Sequence, residues 1–363
     1  AGRQYALLPI DMPGAFHPKV LPRAGKNFAH VLVGSHNLTN AGYGHNLELT
    51  TSFRGNEGDV RAEVQRVWRL AQAWAARSTL GRGEVTHLFG LGSRLVPWLD
   101  DASDDTADRR RLFGSTAEGK GLWEQLEAEW PLSAERLLVA SPYLDNRYEF
   151  VAALQARYPG VEVAVSVDPR IASFSPDAVP AGVELLRSPV EWGSPDKGRA
   201  VHAKAVWAQT SDGSDLLVVG SANASAPAWL GRATRRNAEL VAVHRGVQAV
   251  KVAAALGLAA AFSSPVLSKE EKAEIQERNG TTEDGDPVRV FAVHRQAGFL
   301  LPSTRVMLEK LPPEAMLHRR DGTSERAPVE RSYGEGSWRI PWDERRELPA
   351  LVALSLDGGV TWL

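Results

Sequence analysis

One pattern of polar residues occurs twice in this chain, in the same order and at nearly the same spacing. The first copy reads His17-Pro18-Lys19, then Gly34-Ser35-His36-Asn37, then Asn46-Leu47-Glu48-Leu49. The second reads His202-Ala203-Lys204, then Gly220-Ser221-Ala222-Asn223, then Asn237-Ala238-Glu239-Leu240. His and Asn are 20 residues apart in the first copy and 21 in the second. With nine His and nine Lys among 363 residues, chance supplies roughly 0.2 His-x-Lys strings per chain. Both strings found here lead to one of the only two Gly-Ser-x-Asn strings present. Taken singly, these residues would be strand histidines and tight turns. Their repetition in one order points to two similar lobes, each supplying half of one active site.

Hydrophobic patterning supports the duplication. Tyr5–Ile10, Phe28–Val33 and Leu47–Phe53 read as strands around the first copy. Asp59 then caps a helix whose Val60, Val64, Val67, Trp68, Ala71 and Trp74 share one face. Around the second copy, Val183–Leu186, Val201–Trp207, Leu216–Val219 and Glu239–Val243 read as strands, and Val247–Phe262 as a helix. Further upstream, a strand at Arg136–Ala140, a helix at Asp145–Tyr158 and a strand at Val161–Val167 form a parallel βαβ unit, the mark of an α/β layer fold. His202 has this unit in front of it, whereas only 16 residues precede His17. The first lobe is therefore expected to lack its start, which a segment outside this sequence or a protein partner would complete.

The expected organisation follows. Residues 1–78 are the later part of the first lobe, 79–130 a connection, 131–267 the second lobe, 268–286 a linker with a charged helix over Ser268–Asn279, and 287–363 a small β-sandwich of short strands between Gly, Pro and Asp turns. The connection carries Asp100, Asp101, Asp104, Asp105 and Asp108 before Arg109, Arg110 and Arg111, read as a solvated loop and not a metal site.

Composition removes several classes of function. With no cysteine there is no disulfide, thiolate catalysis or Cys-based zinc site. A formal charge of −2 gives no global basic field, so recognition of an anion must be local. No apolar run reaches membrane-spanning length, and no signal peptide is visible, so no membrane association is expected and the cytoplasm is the default location.

His, Lys, Asn and Ser together suit a phosphodiester. Lys19, Lys204, Asn37 and Asn223 offer cationic and amide donors to phosphate oxygens. Two imidazoles allow one to attack phosphorus while the other protonates the leaving oxygen. Glu48 and Glu239 are the candidate carboxylates for orienting His17 and His202.

The arrangement resembles the phospholipase D superfamily, with its paired HKD-type motifs, over roughly residues 4–264. The resemblance implies an α/β fold of two pseudo-symmetric α/β/α-sandwich lobes, the first incomplete here, followed by the all-β domain. It also implies a phosphohistidine intermediate shared between His17 and His202, phosphate held by the Lys and Asn pairs, hydroxyl contacts from Ser35 and Ser221, and no metal or other cofactor. In the lipid-cleaving branch an Asp follows the Lys by five positions; here those positions hold Ala24 and Gln209. The chain is more similar to the nucleases and tyrosyl-DNA phosphodiesterases of the superfamily. Ser221–Trp229 resembles the corresponding stretch of the latter, and Gly34–Gly42 that of bacterial nucleases from defence or DNA-processing systems.

Nucleic acid, DNA in particular, is accordingly the expected partner. Tyr43 and Trp229 are candidates for stacking on bases, and Arg232, Arg235 and Arg236 for holding the flanking phosphates. Each has a plainer alternative in packing or solvation, and His36 and His45 are bystanders. Two other functions compete: phospholipid headgroup hydrolysis or transfer, and a non-catalytic DNA-binding subunit of a larger complex.

Overall fold

A computed structural model describes residues 8, 10–37, 39, 42, 46–55, 58–78, 82–101, 110–192, 199–231, 236–283, 290–296, 299–304, 314–319, 321, 323–331, 338–343, 345–346, 349 and 351–355. The chain divides into two units, Ala1–Asn279 and Gly280–Leu363.

In the first unit the Lys of each motif leads directly into a strand. After Lys19 come β1 (Val20–Gly25), β2 (Phe28–Gly34) and β3 (Thr50–Gly55), an antiparallel sheet in the order β1-β2-β3. Alternation in β2 buries Ala29, Val31 and Val33 on one face, where α1 (Gly58–Ala75) adds Val64, Val67 and Trp74 to the same core. The strand expected over Tyr5–Ile10 lies largely outside the described residues, and β1 was not anticipated: its interior positions are exposed, so apolar alternation could not mark it.

The stretch read as a connection is more ordered than charge and glycine content suggested. It contains α2 (Arg82–Leu95), β4 (Leu112–Gly114) and the single turn α3 (Leu122–Gln125). Strand β4 is an edge strand of the large sheet. The buried Glu63 of α1 accepts from the backbone N–H groups of Arg111 and Leu112 at 2.7 and 3.2 Å and pairs with Arg66 at 2.6 Å. A buried carboxylate with these partners is satisfied, and it ties α1 to β4. Of the acidic run, 102–109 lies outside the described residues.

The large sheet then adds β5 (Arg136–Ala140), α4 (Glu149–Arg157), β6 (Val163–Val167), β7 (Val183–Arg187), β8 (Ala205–Gln209), β9 (Leu216–Gly220), the single turn α5 (Ala226–Trp229), β10 (Leu240–Arg245) and α6 (Gly246–Ala255). Its order is β4-β10-β9-β8-β5-β6-β7. β5, β6 and β7 are parallel, as the βαβ pattern requires, and β8, β9 and β10 are antiparallel. β8, β9 and β10 stand to the second motif as β1, β2 and β3 stand to the first. The expected helix over Val247–Phe262 instead breaks at Gly257, whose φ of 63° is left-handed, and continues as a 3₁₀ turn over Leu258–Ser263. One core lies under α4 and α5; a second joins the two sheets through Val31, Val33, Phe53, Leu217, Val219 and Leu240. Helix α7 (Lys269–Glu283) follows, three turns of it anchored by Ile275 and by Arg278 donating to the Pro169 carbonyl at 2.8 Å.

Past the end of α7, the described residues of the second unit are all in strands or the turns and loops between them. β11 (Val290–Gln296), β12 (Phe299–Thr304), β15 (Glu330–Arg331) and β16 (Trp338–Pro341) form one antiparallel sheet, and β13 (Glu314–His318), β14 (Ser324–Ala327) and β17 (Leu351–Ser355) another. Leu300, Leu317, Ile340, Trp342 and Val352 make its core.

Candidate active site

The two motifs meet by exchanging backbone. Phe16 bridges Ala238 in parallel register, with the His17 N–H donating to the Ala238 carbonyl at 3.0 Å. Leu47 bridges Val201 in the same way, with the His202 N–H donating to the Leu47 carbonyl at 3.0 Å. The His segment of each copy therefore runs beside the Glu segment of the other.

The side chains follow that exchange. His17 Nδ1 lies 3.0 Å from Glu239 Oε2, and His202 Nδ1 lies 2.8 Å from Glu48 Oε1. Each carboxylate orients the imidazole of the opposite motif. An ionised carboxylate can only accept, so Nδ1 carries the proton and the ring's lone pair stays on Nε2. Each carboxylate is held from behind by its own motif. Ser35 Oγ donates to Glu48 at 2.5 Å and accepts from the Leu49 N–H at 3.0 Å. Ser221 Oγ makes a short bond to Glu239 and accepts from the Leu240 N–H at 3.0 Å. Asn46 and Asn237 donate to Glu48 and Glu239 at 3.4 and 3.1 Å. The matching contacts relate the half-sites by a pseudo-two-fold.

This corrects the expected role of the serines. Ser35 and Ser221 are fully buried, and each gives its one hydroxyl proton to the carboxylate while accepting from a backbone N–H, so neither has a donor left for a phosphate oxygen. The shared Asn-x-Glu spacing is the sequence signal for Asn46 and Asn237, whose role of holding the carboxylates only the structure shows.

Burial makes the lysines unusual. Lys204 Nζ donates to the His202 carbonyl at 2.9 Å and lies 3.2 Å from each ring nitrogen of His202. Burial lowers its pKa to about 7, against the opposing pull of Glu48 and with the Lys19 charge adding to the fall. Lys19 donates to the His17 carbonyl at 3.1 Å, and burial lowers it to about 8 while Glu239 and Glu48 pull it up. Burial also lowers His202, more than its bond to Glu48 raises it, and the Lys204 charge reinforces the shift. For Glu48, burial would raise the carboxyl, but hydrogen bonds from His202 and Ser35, with the charges of His202 and Lys204, hold it below the ordinary carboxylate range. His17 is the more open imidazole, its side chain 25% exposed against 9% for His202. Asn37 is exposed, and the buried Oδ1 of Asn223 has no hydrogen-bond partner among the described residues.

Connection residues also contribute. Ser115, fully buried, donates its hydroxyl to the Asn237 carbonyl at 2.9 Å and accepts from the Glu239 N–H at 3.0 Å. Its carbonyl accepts from Trp74 Nε1 at 3.0 Å, so α1 braces the segment that carries Glu239 into β10. Nothing in the sequence around Ser115 marked it, because its partners are more than 100 residues away.

The expected nucleic-acid contacts fare differently. Trp229 is 2% exposed and stacks on Phe150 with centroids 4.4 Å apart, which corrects its reading as a surface stacking residue. Arg236 is buried too, donating to the carbonyls of Gly231 at 2.8 Å and of Gly119, which corrects its reading as a phosphate contact. Tyr43, Arg232, Arg235 and His45 lie outside the described residues. His36 Nδ1 meets Thr50 Oγ1 at 3.2 Å. Among the described residues no helix is long and apolar enough to cross a membrane, and no group of three or more His, Asp or Glu is placed to hold a metal ion.

No protein-family model and no curated protein matches the chain. Among solved structures, it is similar to a polyphosphate kinase from Porphyromonas gingivalis (14% identity, TM-score 0.39, 76% of this chain and 40% of that one). It is also similar to the yeast tyrosyl-DNA phosphodiesterase (11%, 0.40, 62% and 67%) and to the phosphatidylserine synthase of Haemophilus influenzae Rd KW20 (12%, 0.40, 71% and 68%). The chain thus spans well under half of the polyphosphate kinase chain.

Proposed function

We propose that this chain is a phosphodiesterase of the phospholipase D superfamily that cleaves nucleic acid, DNA in the first instance, in a bacterial defence or DNA-processing setting. The observation that carries the reading is the exchange of carboxylates, His17 with Glu239 and His202 with Glu48, around two buried lysines.

The chemistry follows from those groups. One neutral imidazole attacks phosphorus through Nε2, forming a P–N bond as the P–O bond to the leaving group breaks. The other imidazole, protonated, gives its proton to the departing oxygen. That imidazole then takes a proton from water, whose oxygen attacks phosphorus and releases the first histidine. Lys19, Lys204, Asn37 and Asn223 hold the non-bridging oxygens, whose charge rises in the pentavalent state. Glu48 and Glu239 stabilise whichever imidazole is cationic.

The missing Asp at positions 24 and 209 and the nuclease-like strings Gly34–Gly42 and Ser221–Trp229 favour nucleic acid over lipid. The test is cleavage of labelled single- and double-stranded DNA in EDTA by wild type, His17→Ala and His202→Ala. Cleavage in the wild type and loss in both variants is expected. Unchanged cleavage in the variants would overturn the assignment of the site, and headgroup release from vesicles without DNA cleavage would overturn the substrate.

A further inference from the structure

Tyr143 stands beside His202 and has no part in the chemistry above. It is 41% exposed, and its ring meets the His202 imidazole edge to face, with centroids 6.1 Å apart and planes at 78°. An edge-to-face contact engages one side of such a ring and leaves area for another planar partner.

The backbone that carries Tyr143 is pinned from several directions. Ser141 Oγ donates to the Tyr143 carbonyl at 2.8 Å and accepts from the Ala224 N–H at 3.0 Å, next to Asn223. Leu144 bridges Ala224, and Asp145 accepts from the Ala226 N–H at 2.9 Å. On the other side Tyr143 bridges Ser173. The loop after β5 is therefore stitched to the loop that presents Asn223, and the exposed ring rises from this anchored backbone beside His202. A ring on a backbone ordered in advance has only its own side-chain torsions to lose when a ligand covers it.

We infer that Tyr143 is a substrate-contacting specificity residue, the platform on which a nucleobase next to the scissile phosphate stacks. The inference rests on the nuclease reading of the site. It transfers to Tyr143 the stacking role that Trp229, buried against Phe150, does not fill. Aromatic stacking tolerates any base, so the contact selects nucleic acid over other phosphodiesters without selecting sequence.

The experiment measures kcat/KM on a short single-stranded oligonucleotide and on versions with one abasic site moved stepwise along it. Base stacking at its usual strength predicts a loss of about 5- to 150-fold for Tyr143→Ala on the intact strand. Tyr143→Phe should recover most of that loss, since the ring and not the hydroxyl does the stacking. At one abasic position the wild type should suffer a loss of the same order, and Tyr143→Ala should add less than about threefold to it. Equal losses for Tyr143→Ala at every abasic position, or a Tyr143→Phe variant as poor as Tyr143→Ala, would overturn the inference. A wild type that cleaves no oligonucleotide fails before Tyr143 is touched; that outcome overturns the nuclease reading and this inference with it.

Discussion

Glu239 belongs to the second motif, yet the imidazole it orients is His17 of the first, 222 residues away in sequence. This crossing separates the two carboxylates experimentally. In Glu239→Ala the hydrogen-bonded Nδ1–H proton resonance of His17 should disappear while that of His202 persists, and Glu48→Ala should give the converse. Each substitution should lower kcat by about 10²- to 10⁴-fold, the range for losing support of a general acid–base. A resonance lost with its own motif's Glu would contradict the crossed pairing. Lys204 gives a second case at this scale. Its folded pKa, about 7, lies below its ordinary value of 10.5, so between those limits the unfolded chain binds more protons and stability rises with pH. Below about pH 7 the buried ammonium imposes its full cost. Lys204→Met should therefore raise the melting temperature, most at pH 6 and least near pH 10, while abolishing turnover. Melting curves across that range check the sign, and a destabilised Lys204→Met at pH 6 would contradict it.

Among the elements, α5 shows how little a short aromatic string reveals about its surroundings. Its four residues end in Trp229, which sequence placed just beyond a catalytic loop. Trp229 faces inward because Phe150 of α4 and Trp130 offer it an aromatic surface, and burial of so large a side chain outweighs any exposed stacking role. Trp229→Ala should cost about 3–5 kcal/mol in denaturant unfolding, and Trp229→Phe much less. An unchanged unfolding midpoint in Trp229→Ala would place the ring outside the core. β4 makes a related point. Three residues, too few for periodicity to register, become an edge strand because β10 supplies a partner and Glu63 caps the backbone N–H groups at its start.

At the scale of the whole unit, two sheets bring two lysines and two carboxylates within electrostatic reach of each other. Lys204 and Lys19, lowered by burial to about 7 and about 8, lose charge as pH rises through neutrality. A bound phosphodiester favours their charged forms, so its affinity should fall in the same interval. KM for a diester whose own charge is constant from pH 6 to 9 should rise across that range, and a KM that falls instead would exclude the lysines as the phosphate ligands.

Much of this architecture was legible in the chain. The two-fold repeat named His17, Lys19, Glu48, His202, Lys204 and Glu239, and local apolar runs marked β2, β5, β6 and β9 closely, because strand period and motif order are properties of neighbouring residues. Which carboxylate serves which imidazole, why Ser35 and Ser221 turn away from phosphate, why Arg236 is buried, and how Ser115 comes to brace Glu239 were decided only in three dimensions. Those contacts join segments 13 to 222 residues apart, and they exist because two sheets pack and the segments at their ends pair through single β-bridges, a choice no local spacing encodes.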